Sequence, residues 1–159
     1  MTAEENLKSL AIDLPPATRP VGAYVPAVRT GRLIFTAGQL PFADGQLAAA
    51  GKVPADVPPP AARAAARTAA LNALAAVRQL AGSLDAVTRI VRLNVFVNSS
   101  PGFTDQAEVA NGASELLADI FDHAGRHTRC AVGVAELPLN ASVELDMIVE
   151  TLDSPGPNP

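Results

Sequence analysis

The segment SVELDMIVE, residues 142–150, alternates with period two: Val143, Leu145, Met147 and Val149 fall on one side of an extended chain, Ser142, Glu144, Asp146 and Glu150 on the other. Such a strand belongs in a sheet covered on one face only, because unpaired carboxylates are costly to bury in a dry core. RIVRLNVFVN, residues 89–98, repeats the pattern, with Val91, Leu93, Val95 and Val97 opposed to Arg92, Asn94 and Phe96. The cover for the apolar side has to come from helices, and two amphipathic segments supply it. Between Pro60 and Leu80 the chain is alanine-rich, opened by proline and followed by Gly82; Ala66, Ala70, Leu74, Val77 and Ala81 share one face. A second predicted helix starts from a Thr104 N-cap, carries Val109, Ala113, Leu116, Ile120 and Ala124 along one stripe, and closes at Gly125.

The remaining elements complete one mixed sheet. YVPAVRTGRLIFTAGQLP predicts a hairpin turning at Arg29-Thr30-Gly31-Arg32, where Gly31 supplies the positive φ of a tight turn. Residues 42–60 read as an irregular loop with a short strand, and Asp44-Gly45 as a turn rather than a metal loop. The last two strands are expected at 129–135 and 142–150. The class is α+β, a single domain with two helices on one face of a mixed sheet. The domain is expected over residues 21–152. Before it stands an N-terminal extension, residues 1–20, with a short helical segment ended by DLPPATRP; after it, residues 153–159 read as a flexible, proline-rich tail.

Composition narrows the function classes. A chain of 159 residues with 48 % hydrophobic and 18 % charged residues is the size of one globular domain, and no stretch is apolar enough to span a bilayer. MTAEENLKSL lacks a signal core, so a cytoplasmic location is expected. Cys130 is the only cysteine, and His123 and His127 are the only histidines, which speaks against a disulfide or a multi-ligand metal centre. A net charge of −4 and 4 % aromatic residues oppose nucleic-acid binding.

The chemistry-bearing stretch is RHTRCAVGVAELPLN, residues 126–140. Arg129, Ala131, Gly133 and Ala135 share one strand side and Cys130, Val132 and Val134 the other. An arginine followed on its own face by Ala and Gly predicts a cation beside open space, suited to a small anionic ligand. Neighbouring placement of the last two strands would bring Glu144 to that same face, either as part of a site or as an ordinary ion-pair partner. Cys130 then reads as a small core residue. Arg126 and His127 read as solvated loop residues or as partners for acids of a neighbouring subunit, and Arg63 and Arg67 as an exposed helix face.

GAYVPAVRTGRLIFTAGQLP, VRLNVFVN and RCAVGVAELPLNASVELDMIVE together resemble the reactive intermediate deaminase family, also called YjgF or Rid and often labelled endoribonuclease L-PSP. The long N-terminal segment resembles a larger-subunit branch of that family. The resemblance implies a chorismate-mutase-like fold in which a homotrimer closes its sheets into a central barrel, with pockets between subunits. It also implies hydrolysis of enamines and imines such as 2-aminoacrylate to 2-keto acids and ammonia, without metal or organic cofactor. By position, Arg129 matches the arginine that holds the substrate carboxylate and Glu144 the acid that positions water. Tyr24 matches an aromatic pocket residue, Gly38 the glycine of Gly-Gln-Leu-Pro, and Asn111 the family's helix asparagine. Ala131 stands where many members have cysteine, Ala37 where a hydroxyl is common, and Val25-Pro26 where Ser-Gln is common. Three readings stay open: a deaminase, a non-catalytic trimer that binds small carboxylates, and a ribonuclease.

Overall fold

The computed structural model describes residues 1–17 and 22–152; the expected tail at 153–159 and the end of the DLPPATRP boundary lie outside the described residues. The elements are α1 (Ala3–Ser9), β1 (Ala27–Thr30), β2 (Leu33–Thr36), β3 (Phe42–Ala43), β4 (Gln46–Leu47), α2 (Pro59–Ala81), β5 (Val87–Asn98), α3 (Gln106–Phe121), β6 (Thr128–Val134) and β7 (Val143–Thr151). Five strands form one sheet in the order β1-β2-β7-β5-β6, antiparallel except for the parallel β5–β6 pair. A parallel pair needs a crossover, and α3 provides it. β3 and β4 form a separate hairpin whose turn, Asp44-Gly45, has φ of 51° and 78° at its two residues.

The core lies between one sheet face and the two long helices. Val143, Leu145, Met147 and Val149 of β7 are buried, as are Leu93, Val95 and Val97 of β5 and Ala66, Ala70, Leu74 and Val77 of α2. Burying a Leu, Val or Met side chain of this kind contributes roughly 1.5–3 kcal/mol. Alanine on α2 lets the helix sit close to its neighbours, and Gly112 of α3 takes this furthest. A Cβ there would overlap the Arg63 carbonyl oxygen of α2. Asn72, buried on α2, donates to the Leu40 and Phe42 carbonyls at 2.9 and 3.0 Å and so ties the loop after β2 to the helix.

The N-terminal segment is a third helix packed on the domain. Thr2 and Glu5 form a reciprocal capping box, Ala3 and Leu7 join the core, and Asn6 donates to the Ile120 carbonyl at 2.8 Å. No helix among the described residues is long and apolar enough to cross a membrane.

Local periodicity misplaces two residues. The β5–β7 register shifts between Ile90 and Arg92, so Ile90 takes the buried position and Val91 is only half-buried. Asp105, not Thr104, precedes the first turn of α3, and it makes no side-chain cap. Gly31, at φ 55°, turns the β1–β2 hairpin as its sequence implies.

Candidate functional site

The direction of Arg129 follows from register. In the parallel β5–β6 pair Arg129 lies beside Leu93, Ala131 beside Val95 and Gly133 beside Val97, and lateral neighbours in a pleated sheet share a face. Those β5 residues are core, so Arg129 rises toward α3 at the end of the row Met147, Leu93, Arg129. This reverses the expectation for β6. Its Arg129, Ala131 and Gly133 side is covered by helix, and Ala131 packs against the core. Cys130 and Val132 instead look to the uncovered face, beside Asn94 and Phe96. β6 is an edge strand, where a long arginine can lie under a helix and still keep its charged end near solvent.

Two α3 side chains receive Arg129. Its Nη1 donates to Asn111 Oδ1 at 2.8 Å and to Ser114 Oγ at 3.0 Å, which occupies both Nη1 protons. Nε and Nη2 have no protein partner among the described residues. They form the edge of the guanidinium that matches a carboxylate with two parallel hydrogen bonds. Asn111 is oriented in turn, because its Nδ2 donates to Glu108 Oε2 at 2.9 Å and leaves the carbonyl end for Arg129. Glu108 is paired with Arg63 of α2, which also pairs with Glu115; Arg63 is thus more than an exposed helix residue. His127 is not a solvated loop residue either: it lies 3.0 Å through Nε2 from Ser114 Oγ and 2.6 Å through Nδ1 from the Gly125 carbonyl.

A second cluster occupies the uncovered face. Glu144 lies beside Phe96 in the β5–β7 pair, and β5 separates it from β6. The expected neighbouring of the last two strands is therefore corrected, and within one chain Glu144 and Arg129 leave opposite faces of the sheet. Gly38 stands directly against the Glu144 carboxyl. A Cβ on Gly38 would overlap Oε1 and lie 3.0 Å from Cδ, so this glycine is needed for space rather than for an unusual φ. Glu144 has no hydrogen-bond partner among the described residues. Burial, with the Asp146 carboxylate adding to it, raises its pKa above 4.5. Asp146 itself accepts from Asn94 Nδ2 at 2.8 Å, and Asn94 Oδ1 accepts from Arg92 Nε at 2.9 Å. Tyr24 stands 53 % exposed ahead of β1 and makes no hydrogen bond among the described residues.

The structure thus joins Arg129 with Asn111 on the helix side and Gly38 with Glu144 on the open side. Sequence reasoning missed Ser114 and Glu108 and read His127 as a solvated loop residue or a partner for a neighbouring subunit's acids. Two signals were present: His127 is two residues from Arg129 and so on its strand side, and Ser114 is one helical turn from Asn111.

The Glu144 environment predicts a pH signature. A carboxyl whose folded pKa exceeds its unfolded value stabilises the fold below the unfolded value, and that contribution is lost as pH rises through the folded one. Glu144→Gln should therefore gain thermal stability relative to the natural protein as pH rises past 4.5, and match it more closely in acid. Thermal denaturation of both proteins across pH checks this. A stability difference that does not change with pH would contradict the shift.

The family model described as "YjgF/chorismate_mutase-like, putative endoribonuclease" matches residues 4–151, and the chain belongs to this family. It is 47 % identical over 146 residues to Protein TCP17 of Trypanosoma cruzi, covering 91 % of each chain. It is 30 % identical over 138 residues to the 2-iminobutanoate/2-iminopropanoate deaminase of Dermatophagoides farinae, covering 87 % of this chain and 93 % of that one. Among solved structures, the Atu1372 protein of Agrobacterium tumefaciens, described as of unknown function, superposes with a TM-score of 0.87 at 45 % identity, covering 94 % of this chain and 92 % of that one. The fold is the mixed α+β single domain of this family, here with three helices.

Proposed function

We propose that the protein hydrolyses small reactive imino acids, and enamino acids through their imine tautomers, to 2-keto acids and ammonia. The observation that carries this reading is the free Nε–Nη2 edge of Arg129, whose other nitrogen is already held by Asn111 and Ser114. A guanidinium held in this way orients a carboxylate as well as attracting it. The adjacent C=N carbon of such a substrate is electrophilic when the nitrogen is protonated. Water attacks that carbon, a C–O bond forms, and the water proton passes to Glu144. The nitrogen then takes that proton back, and as the C–N bond breaks the new hydroxyl gives its proton to Glu144 and the C=O bond of the keto acid forms; the departing ammonia carries this proton off as ammonium. A raised pKa suits Glu144 to these transfers. No step calls on a metal or organic cofactor. The name of the Dermatophagoides farinae relative, a 2-iminobutanoate/2-iminopropanoate deaminase, supports the substrate class.

One ligand can meet both clusters only if they come from two copies of the chain, since Arg129 and Glu144 leave opposite sheet faces. The uncovered face supports such an assembly: Val28, Phe35 and Ile148 form one row across β1, β2 and β7, and Phe96 and Val132 continue another row from Glu144 across β5 and β6. Val28 is 52 % exposed in the single chain. A homotrimer with pockets between subunits, working in the cytoplasm on small carboxylates rather than on nucleic acid, completes the reading. Light scattering on an eluting peak should give three times the chain mass, and a stable monomer at micromolar concentration would refute the shared pocket. A non-catalytic carboxylate-binding trimer is the second reading, favoured by Ala131 and Ala37 where the family resemblance leads one to expect a cysteine and a hydroxyl. A coupled assay, with enamine generated fresh from an amino acid and keto acid followed with and without the protein, separates the two.

A further inference from the structure

Arg129 has a second layer behind it that the proposed chemistry does not use. Ser114 sits one turn beyond Asn111 on α3, and its hydroxyl lies between Arg129 Nη1 and His127 Nε2, 3.0 Å from each. The direction of these bonds follows from the far end. The Gly125 carbonyl only accepts, and His127 Nδ1 lies 2.6 Å from it, so Nδ1 carries the proton. In the neutral ring Nε2 is then an acceptor. Ser114 donates its only proton there and keeps its lone pairs for Arg129. The bonds run in one sense: Arg129 to Ser114, Ser114 to His127, His127 to the Gly125 backbone.

Gly125 is a fixed end for this series. It is buried, and a Cβ there would overlap the Leu117 carbonyl oxygen, so the turn after α3 is pressed against that helix. The imidazole is thereby anchored to backbone, and Ser114 is anchored to the imidazole. An unanchored serine hydroxyl rotates among staggered positions and can meet arginine in several ways.

We infer that Ser114 and His127 are positioning residues for Arg129, holding one edge of its guanidinium so that the Nε–Nη2 edge faces a small carboxylate in one orientation. This rests on Arg129 being the carboxylate anchor; neither Ser114 nor His127 needs to touch the ligand. Outer partners that orient metal ligands change affinity by about 10-fold or more when removed, and a loss of the same order is expected for a guanidinium oriented in the same way.

Nuclear magnetic resonance of the assembled protein tests the series without any ligand. The chain has two histidines, so His127→Phe assigns the imidazole nitrogens. The expected result is an Nδ1-protonated His127 and an Arg129 Nε–H signal that is sharp in the natural protein and averaged in Ser114→Ala and His127→Phe. An Nε2-protonated ring, or an Arg129 signal unchanged in both variants, overturns the inference. Titration with pyruvate gives the functional arm: each single variant should bind about 10-fold more weakly, the double variant no worse than either, and Ser114→Thr should restore binding. Additive losses, or no rescue by threonine, also overturn it. Arg129→Ala is the control for the reading beneath. If that variant binds pyruvate normally, the anchor assignment fails, while the resonance result still judges the series itself.

Discussion

Arg129→Ala should abolish binding of pyruvate and 2-ketobutyrate and the hydrolysis of freshly generated enamines, with the fold and the proposed trimer retained. Retention is expected because Arg129 is half-buried on an edge strand, outside the hydrophobic core, and because its two acceptors keep other partners. Asn111 still donates to Glu108, and Ser114 still meets His127. Deletion therefore leaves neither side chain without a partner. The loss falls on the ligand, whose carboxylate would be left unpaired at a cost of about 2–5 kcal/mol. Arg129→Lys separates charge from shape. Lysine places a cation in the same region but cannot give two parallel hydrogen bonds, so the assembly should persist while most turnover disappears. Titration with the two keto acids and the coupled assay, after the oligomer is verified, measure both. Near-normal binding and turnover in Arg129→Ala would remove the central observation behind the enzymatic reading.

Gly38→Ala should lower turnover strongly through Glu144 alone. The glycine has no left-handed backbone to lose, and its side chain of one hydrogen is what admits the carboxyl group. Adding a methyl forces Glu144 to swing away, because the atom it meets is the end of a flexible side chain and the backbone of β7 is locked between β2 and β5. Loss of a positioned acid-base group typically costs about 10²–10⁴-fold in rate. The decisive comparison is a cycle with Glu144→Ala. Gly38→Ala should be costly when Glu144 is present and nearly without further effect when it is absent. Equal losses in both backgrounds would show that Gly38 acts on something other than Glu144. Circular dichroism and light scattering establish that the variants remain folded and assembled.

By itself the sequence determined whatever repeats along the chain. The alternation of Val143 to Val149 made β7 a one-sided strand, the small residues of α2 made a helix that sits close to its neighbours, and Gly31 made the first hairpin. These features are local, since φ and ψ of successive residues set which side chains share a side. The motif residues that carry the family likeness were legible for the same reason, as types at fixed spacings. Which side of β6 is covered was decided only by the tertiary structure, because alternation divides a strand into two sides without saying which meets the helix. Arg129 beside Leu93, and Cys130 beside Asn94, follow from a pairing between segments more than thirty residues apart. The bulge that exchanged Ile90 for Val91 is likewise a property of β5 against β7. So is the separation of Arg129 from Glu144, since the register sets Arg129 beside Leu93 and Glu144 beside Phe96, which leave opposite faces of β5. The hydroxyl and imidazole behind Arg129 came together in the same way, from α3 and the residue just before β6, where folding places a helical face over the edge of the sheet.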